Sequence, residues 1–99
     1  MKLPIPVSFS PEAISEAIKT ANSKGIPDDY RLRVAVKGGG GCGGAEPIIG
    51  FDKPTEHDEH YQIDDLDIII DKRHVMFLID YQVDFINTNE ERGFVFNKG

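Results

Sequence analysis

The chain has one cysteine, no tryptophan and no apolar run long enough to cross a bilayer. A single thiol excludes an intramolecular disulfide, so nothing marks an oxidising compartment. It also excludes a zinc or metal-cluster site completed by thiolates from one chain, because such centres take about four protein ligands. Any cluster would be shared between chains or completed by an outside ligand. Positive charge is scarce as well. Eleven Lys and Arg stand against 17 Asp and Glu, a formal net charge of -6, which argues against nucleic acid as a partner. The opening Met1-Lys2-Leu3-Pro4-Ile5-Pro6 has no apolar signal core. These absences lead to the expectation of a cytoplasmic protein without a membrane partner. There is no Gly-x-x-x-x-Gly-Lys phosphate loop, no Gly-x-Gly-x-x-Gly turn opening a helix and no serine in a nucleophile elbow. The expectation is therefore a protein that is not an enzyme. Ninety-nine residues suffice for a single domain, residues 1–99, with one modest core.

What the sequence does have is concentrated in one stretch, Gly38-Gly39-Gly40-Gly41-Cys42-Gly43-Gly44, which places the only cysteine among six of the ten glycines. Glycine has no Cβ to shield a neighbour. A thiol there is open to a metal, a cluster or another thiol, unlike a structural cysteine packed among apolar side chains. A plain flexible glycine loop is the competing reading, since a lone thiol fixes no chemistry. Ser10-Pro11-Glu12 reads as the capped start of a helix. Ala13, Ile14, Ala17, Ile18 and Ala21 repeat at helical spacing, which predicts an amphipathic helix over Pro11 to Ser23, with Ile14 and Ile18 laid on a sheet. Gly25 and Pro27 end it.

From Tyr30 the period changes to two. Leu32, Val34 and Val36 alternate with Arg31, Arg33 and Lys37, a half-buried strand that runs into the glycine stretch. Ile48, Ile49 and Phe51 resume beyond it, so the stretch is expected to join two strands, with Pro47 at an edge or bulge. Residues 52–67 are rich in acid and read as a solvated loop. Within them His57 and His60 stand three apart, a spacing that would put both imidazoles on one helical face and could hold a metal. Pro54 opposes such a helix. Leu66-Asp67-Ile68-Ile69-Ile70 reads as a strand, and Val75, Met76, Phe77, Leu78 and Ile79 as a short helical turn under the sheet. Tyr81, Val83 and Phe85 alternate as another strand. Residues 87–92 form a polar turn, and Gly93-Phe94-Val95-Phe96 closes the chain. The fold class is α+β, β-rich, with one clear helix. A thiol–imidazole pair between Cys42 and His57, His60 or His74 is conceivable, but no spacing brings them together.

This order of segments resembles the HesB/IscA-like family, the A-type iron–sulfur cluster carrier and assembly proteins. The likeness runs from the capped helix at Ser10 through Leu32-Arg33-Val34-Ala35-Val36. It centres on Gly41-Cys42-Gly43-Gly44, which is similar to the family's Gly-Cys-Ser-Gly signature with Gly43 in place of Ser. It continues through Ile68-Ile69-Ile70-Asp71, Phe77-Leu78 and Gln82-Val83-Asp84-Phe85 to Gly93-Phe94-Val95-Phe96-Asn97. The resemblance implies a mostly antiparallel β-fold with a helix packed on the sheet, forming dimers or tetramers. It implies that Cys42 binds iron or an iron–sulfur cluster, passed on between assembly and recipient apoproteins. In the family a Cys-x-Cys pair follows the segment matching Asn97-Lys98-Gly99. Two of the three family ligands are absent from these 99 residues, and weak binding shared between subunits is expected. Asp80 stands where the family has Gly; Asp tolerates the left-handed region better than most residues, and the turn there is expected to persist.

Two further readings are kept beside the carrier. One is a protein-binding or scaffolding module on the same fold that has lost cluster chemistry. The other is a redox-sensitive thiol protein in which Cys42 forms an intermolecular disulfide.

Overall fold

The computed structural model describes residues 5–23, 25–38 and 45–98. Strand β1 is Ser8–Phe9, and Ser10 then starts helix α1, Pro11–Ser23. Ser10 Oγ accepts from the Ala13 N–H at 3.1 Å, the cap that the Ser-Pro-Glu triplet predicts. The same hydroxyl donates to Asp84 Oδ1 at 2.7 Å, and the Ser10 N–H donates to the Val83 carbonyl at 2.9 Å. The start of the helix is thus bonded directly to strand β6, Tyr81–Asn87. At that approach only small side chains fit. Ala13 and Ala17, one and two turns beyond Ser10, are the fully enclosed helix residues. This corrects the expected inward face: Ile18 is half-buried against the core, and Ile14 is half-buried outside the core cluster. Gly25 takes φ 66, the left-handed turn that a glycine after a helix supplies.

Two sheets follow. The larger has the order β3-β2-β5-β4, built from β2 (Arg31–Gly38), β3 (Ala45–Asp52), β4 (Asp58–Ile63) and β5 (Leu66–Asp71). The smaller has the order β1-β6-β7, with β7 at Arg92–Lys98. The hairpin pairs β2–β3, β4–β5 and β6–β7 are antiparallel, and short parallel pairings join β2 to β5 and β1 to β6. The mostly antiparallel, β-rich α+β class therefore holds. Leu32, Val34, Ile68, Ile70 and Tyr61 face one way, toward α1, Leu78 and Val83, and form the core. Tyr81 and Phe85 of β6 pack edge-to-face on Phe96 and Phe94 of β7.

Two further expectations are corrected. Residues 58–63 of the acidic stretch are strand β4 rather than loop. Tyr61 is buried and Ile63 half-buried while His60 and Gln62 are exposed, a short alternation diluted by charge. The turn at Ile79 and Asp80 is kept as expected, and among the described residues the left-handed non-glycine residue is Asp64 (φ 53), in the two-residue turn between Ile63 and Leu66. The apolar block at 75–79 does contain helix α2, Val75–Leu78, but only Leu78 is buried, with Val75 half-buried against the core. Met76, Phe77 and Ile79 are exposed.

Candidate functional site

Cys42 belongs to residues 39–44, which lie outside the described residues, as does the expectation of an open, unburied thiol. What is described is the hairpin that carries them. Strands β2 and β3 pair without interruption from Arg31↔Asp52 to Gly38↔Ala45, so residues 39–44 connect two paired strand ends, as expected. Gly38 takes φ 81, a left-handed conformation that explains a glycine where the chain leaves β2. Pro47 sits on β3, an edge strand. Its partner Val36 donates its N–H away from β3, so the pair is a non-hydrogen-bonded rung and the missing proline donor would have faced the open edge.

The hairpin stem is held from two sides. Parallel pairing of β2 with β5 covers Leu32↔Ile68 and Arg33↔Ile69. Beyond it the chain turns through a 3-10 segment, Lys72–His74, into α2. The Val36 N–H there donates to His74 Nδ1 at 3.2 Å, an imidazole in place of a neighbouring strand. On the outer face Arg33 gathers the approach to β4. It donates to Asp58 Oδ1 and Oδ2 at 2.6 and 2.7 Å, to Asp52 Oδ2 at 3.0 Å and to the Lys53 carbonyl at 3.0 Å. Asp58 also accepts the Thr55 N–H at 2.7 Å. Burial pushes the Asp58 carboxyl up, but the Arg33 guanidinium and the Thr55 N–H outweigh it and hold it below the usual range. Asp71, bound by Arg73 at 2.6 Å, is likewise held well below that range. These are satisfied structural pairs. Among the described residues no buried side-chain polar atom is left unpaired.

The histidines do not converge on a metal. His57 precedes β4 and His60 lies within it, so no helical face joins them, and both are exposed. His57 Nε2 lies 3.7 Å from Glu56. His74 uses Nδ1 as an acceptor, which in a neutral ring leaves the proton on Nε2. Neither nitrogen then offers a free lone pair. Among the described residues no group of three or more His, Cys, Asp or Glu could hold a metal ion. Iron–sulfur chemistry calls for thiolates, and the sequence holds Cys42 alone. Sequence reasoning missed the Arg33–Asp58 clip and the His74 contact, both made between residues distant in the chain. Among the described residues no helix is long and apolar enough to cross a membrane.

Known proteins share this architecture. The sequence profile described as iron-sulphur cluster biosynthesis matches residues 5–99. A Polaromonas naphthalenivorans protein, provisionally named iron-sulfur cluster insertion protein ErpA 1, is 30% identical over 95 residues, covering 95% of this chain and 77% of that protein. The crystal structure of Escherichia coli SufA, described as involved in biosynthesis of iron-sulfur clusters, superposes with a TM-score of 0.74. Identity is 22%, over 93% of this chain and 79% of SufA. A crystal structure of IscA with its [2Fe-2S] cluster gives a TM-score of 0.66 at 22% identity, over 93% and 81% of the two chains. The order of segments, the two-sheet fold and the full-length profile agree, and the chain belongs to the iron–sulphur cluster biosynthesis family.

Proposed function

We propose that this chain is a carrier or assembly protein for iron–sulfur clusters and that Cys42 is its thiolate ligand. The observation that carries the reading is the family match over residues 5–99, which takes in the β2–β3 hairpin and its cysteine connection. The cluster is cargo. Loading exchanges a small-molecule or donor thiolate on iron for the Cys42 thiolate, and the Cys42 proton leaves to solvent. Delivery is the same exchange in reverse: an acceptor cysteine loses its proton, its sulfur replaces Cys42 on iron, and Cys42 takes up a proton. No electron changes hands, and the chain acts as a carrier rather than an enzyme. These 99 residues supply one thiolate, so a cluster bound by them alone is held between at least two copies, with remaining positions filled by a small thiol or by the recipient apoprotein.

The test is anaerobic reconstitution with iron, sulfide and glutathione, read by visible absorption and by sizing. The expected result is thiol-dependent absorption that travels with a dimer or larger species and is lost in Cys42→Ala. Absorption in the Cys42→Ala variant, or from a monomer without added thiol, overturns the ligand assignment. A second reading, a protein-binding module without cluster chemistry, is favoured by the exposed Met76, Phe77 and Ile79. It predicts no cluster absorption under any of these conditions.

A further inference from the structure

We propose that His74 is a proton-sensitive positioning residue for the hairpin that carries Cys42, acting through the Val36 N–H. The stem has a gap that main-chain pairing does not fill. Strand β5 pairs with β2 at Leu32 and Arg33 and then ends at Asp71, while β2 runs on to Gly38. Val36 points its N–H into that gap, where His74 Nδ1 accepts it at 3.2 Å. Its β3 partner, Pro47, makes no N–H contact in return. The imidazole thus takes over the ladder three residues past the last β2–β5 partner. Helix α2, which follows His74, packs against the same strand.

The contact exists in one protonation state only. The ring accepts at Nδ1 when neutral and protonated at Nε2, whereas an imidazolium carries protons on both nitrogens. On protonation a donor faces a donor, and the stem loses the bond. Histidine is the side chain whose ordinary charge change falls between pH 5 and 8. The charged groups around it are mixed. Asp71, on its own segment, interacts electrostatically with His74 and is bound by Arg73 at 2.6 Å. Lys72 lies 3.9 Å from Glu59, and its N–H donates to the His57 carbonyl at 2.9 Å. On β2 the next residue after Val36 is the exposed Lys37, opposite Glu46 of β3. That the latch matters for cargo rests on the carrier reading of Cys42; that the latch exists does not.

The experiment has two arms on the full chain. By NMR, the Val36 amide and the His74 ring nitrogens are followed from pH 5 to 8.5. The expected result is a neutral ring with bare Nδ1, a Val36 amide shift with the same midpoint as the ring, and a Val36 protection factor that falls roughly five- to tenfold on protonation. His74→Asn keeps an acceptor at the same distance from the backbone without titrating, and should hold Val36 protected throughout. His74→Ala should leave Val36 unprotected at every pH. A Val36 amide that ignores the ring's titration, or a neutral ring protonated on Nδ1, overturns the latch. In the second arm, loss of reconstituted cluster absorption is compared at pH 8 and 5.5. Wild type should show a several-fold larger ratio than His74→Asn, which corrects for the cluster's own acid lability. Equal ratios overturn the positioning role. Failure of any cluster to form removes the carrier reading and leaves the latch to be decided by the first arm.

Discussion

Removing one partner of the Arg33–Asp58 pair tests the outer face of the large sheet. The Asp58 side chain is fully enclosed and Arg33 is 16% exposed. Three N–H groups reach the carboxylate, two from Arg33 and one from Thr55, all within 2.7 Å. Breaking a buried pair from one side costs about 3–5 kcal/mol because the survivor is left uncompensated. In Asp58→Ala the survivor is Arg33, which keeps Asp52 and the Lys53 carbonyl and has some access to water. The expected cost is therefore lower, about 2–3 kcal/mol, or roughly 10–20 °C in Tm for a chain of this size. In Arg33→Ala the survivor is the enclosed carboxylate, left with Thr55 and without a countercharge in direct contact, and the loss should be larger. Thermal unfolding followed by circular dichroism at pH 7 measures both.

The pH dependence has a definite sign. The folded Asp58 carboxyl lies below its unfolded value, so its contribution is complete above about pH 4 and is lost as pH falls through the folded value. The wild type should lose stability on that acid limb more steeply than Asp58→Asn, while Arg33→Ala should regain ground as its orphaned carboxylate protonates. An Asp58→Ala variant that melts within about 3 °C of wild type, or an Arg33→Ala variant more stable than it, would refute the reasoning.

Ala17→Leu should overpack the contact between α1 and β6, where the native side chain has no exposure, and cost about 1–3 kcal/mol by urea unfolding; wild-type stability would show that the helix does not approach the strand. Ser10→Ala removes both the cap and the bond to Asp84 and should cost about 1–2 kcal/mol, with Ser10→Thr recovering part of it. His57→Ala with His60→Ala should leave bound iron or zinc unchanged by metal analysis, since both rings are exposed and belong to no metal-holding group among the described residues.

The parts of the fold legible in the sequence are those whose cause is local. A hydroxyl, a proline and an acid in a row specify a helix start wherever they occur, and Ser10 caps α1 as read. Strict alternation specifies a half-buried strand, and β2 and β6 follow it. The helix's inward face was misread because both alanines and isoleucines lie on the apolar stripe. Which of them turns inward depends on how near β6 comes, and that distance is set by Ser10 bonding to Val83 and Asp84, more than 70 residues away. Strand β4 was misread for a similar reason. Asp58 is a surface residue by type, and its burial follows from Arg33, 25 positions earlier. Cys42 was legible as a candidate only through rarity and its glycine setting, which say what can reach the thiol and not what does.

The topology adds what the alternation could not. Because β2 and β5 run parallel, the chain leaves both at the same end of the sheet. From one it enters the connection holding Cys42, and from the other it enters the turn holding His74 and then α2. Met76 and Phe77 on α2, and Ile79 just after it, are exposed at that same departure. A helix of four residues buries Leu78, half-buries Val75 against the core and leaves Met76 and Phe77 outward, which is more apolar surface than its own packing requires. The thiol-bearing hairpin, the imidazole that tethers its stem and an unburied apolar rim are thus neighbours by connectivity. Their proximity follows from strand direction alone.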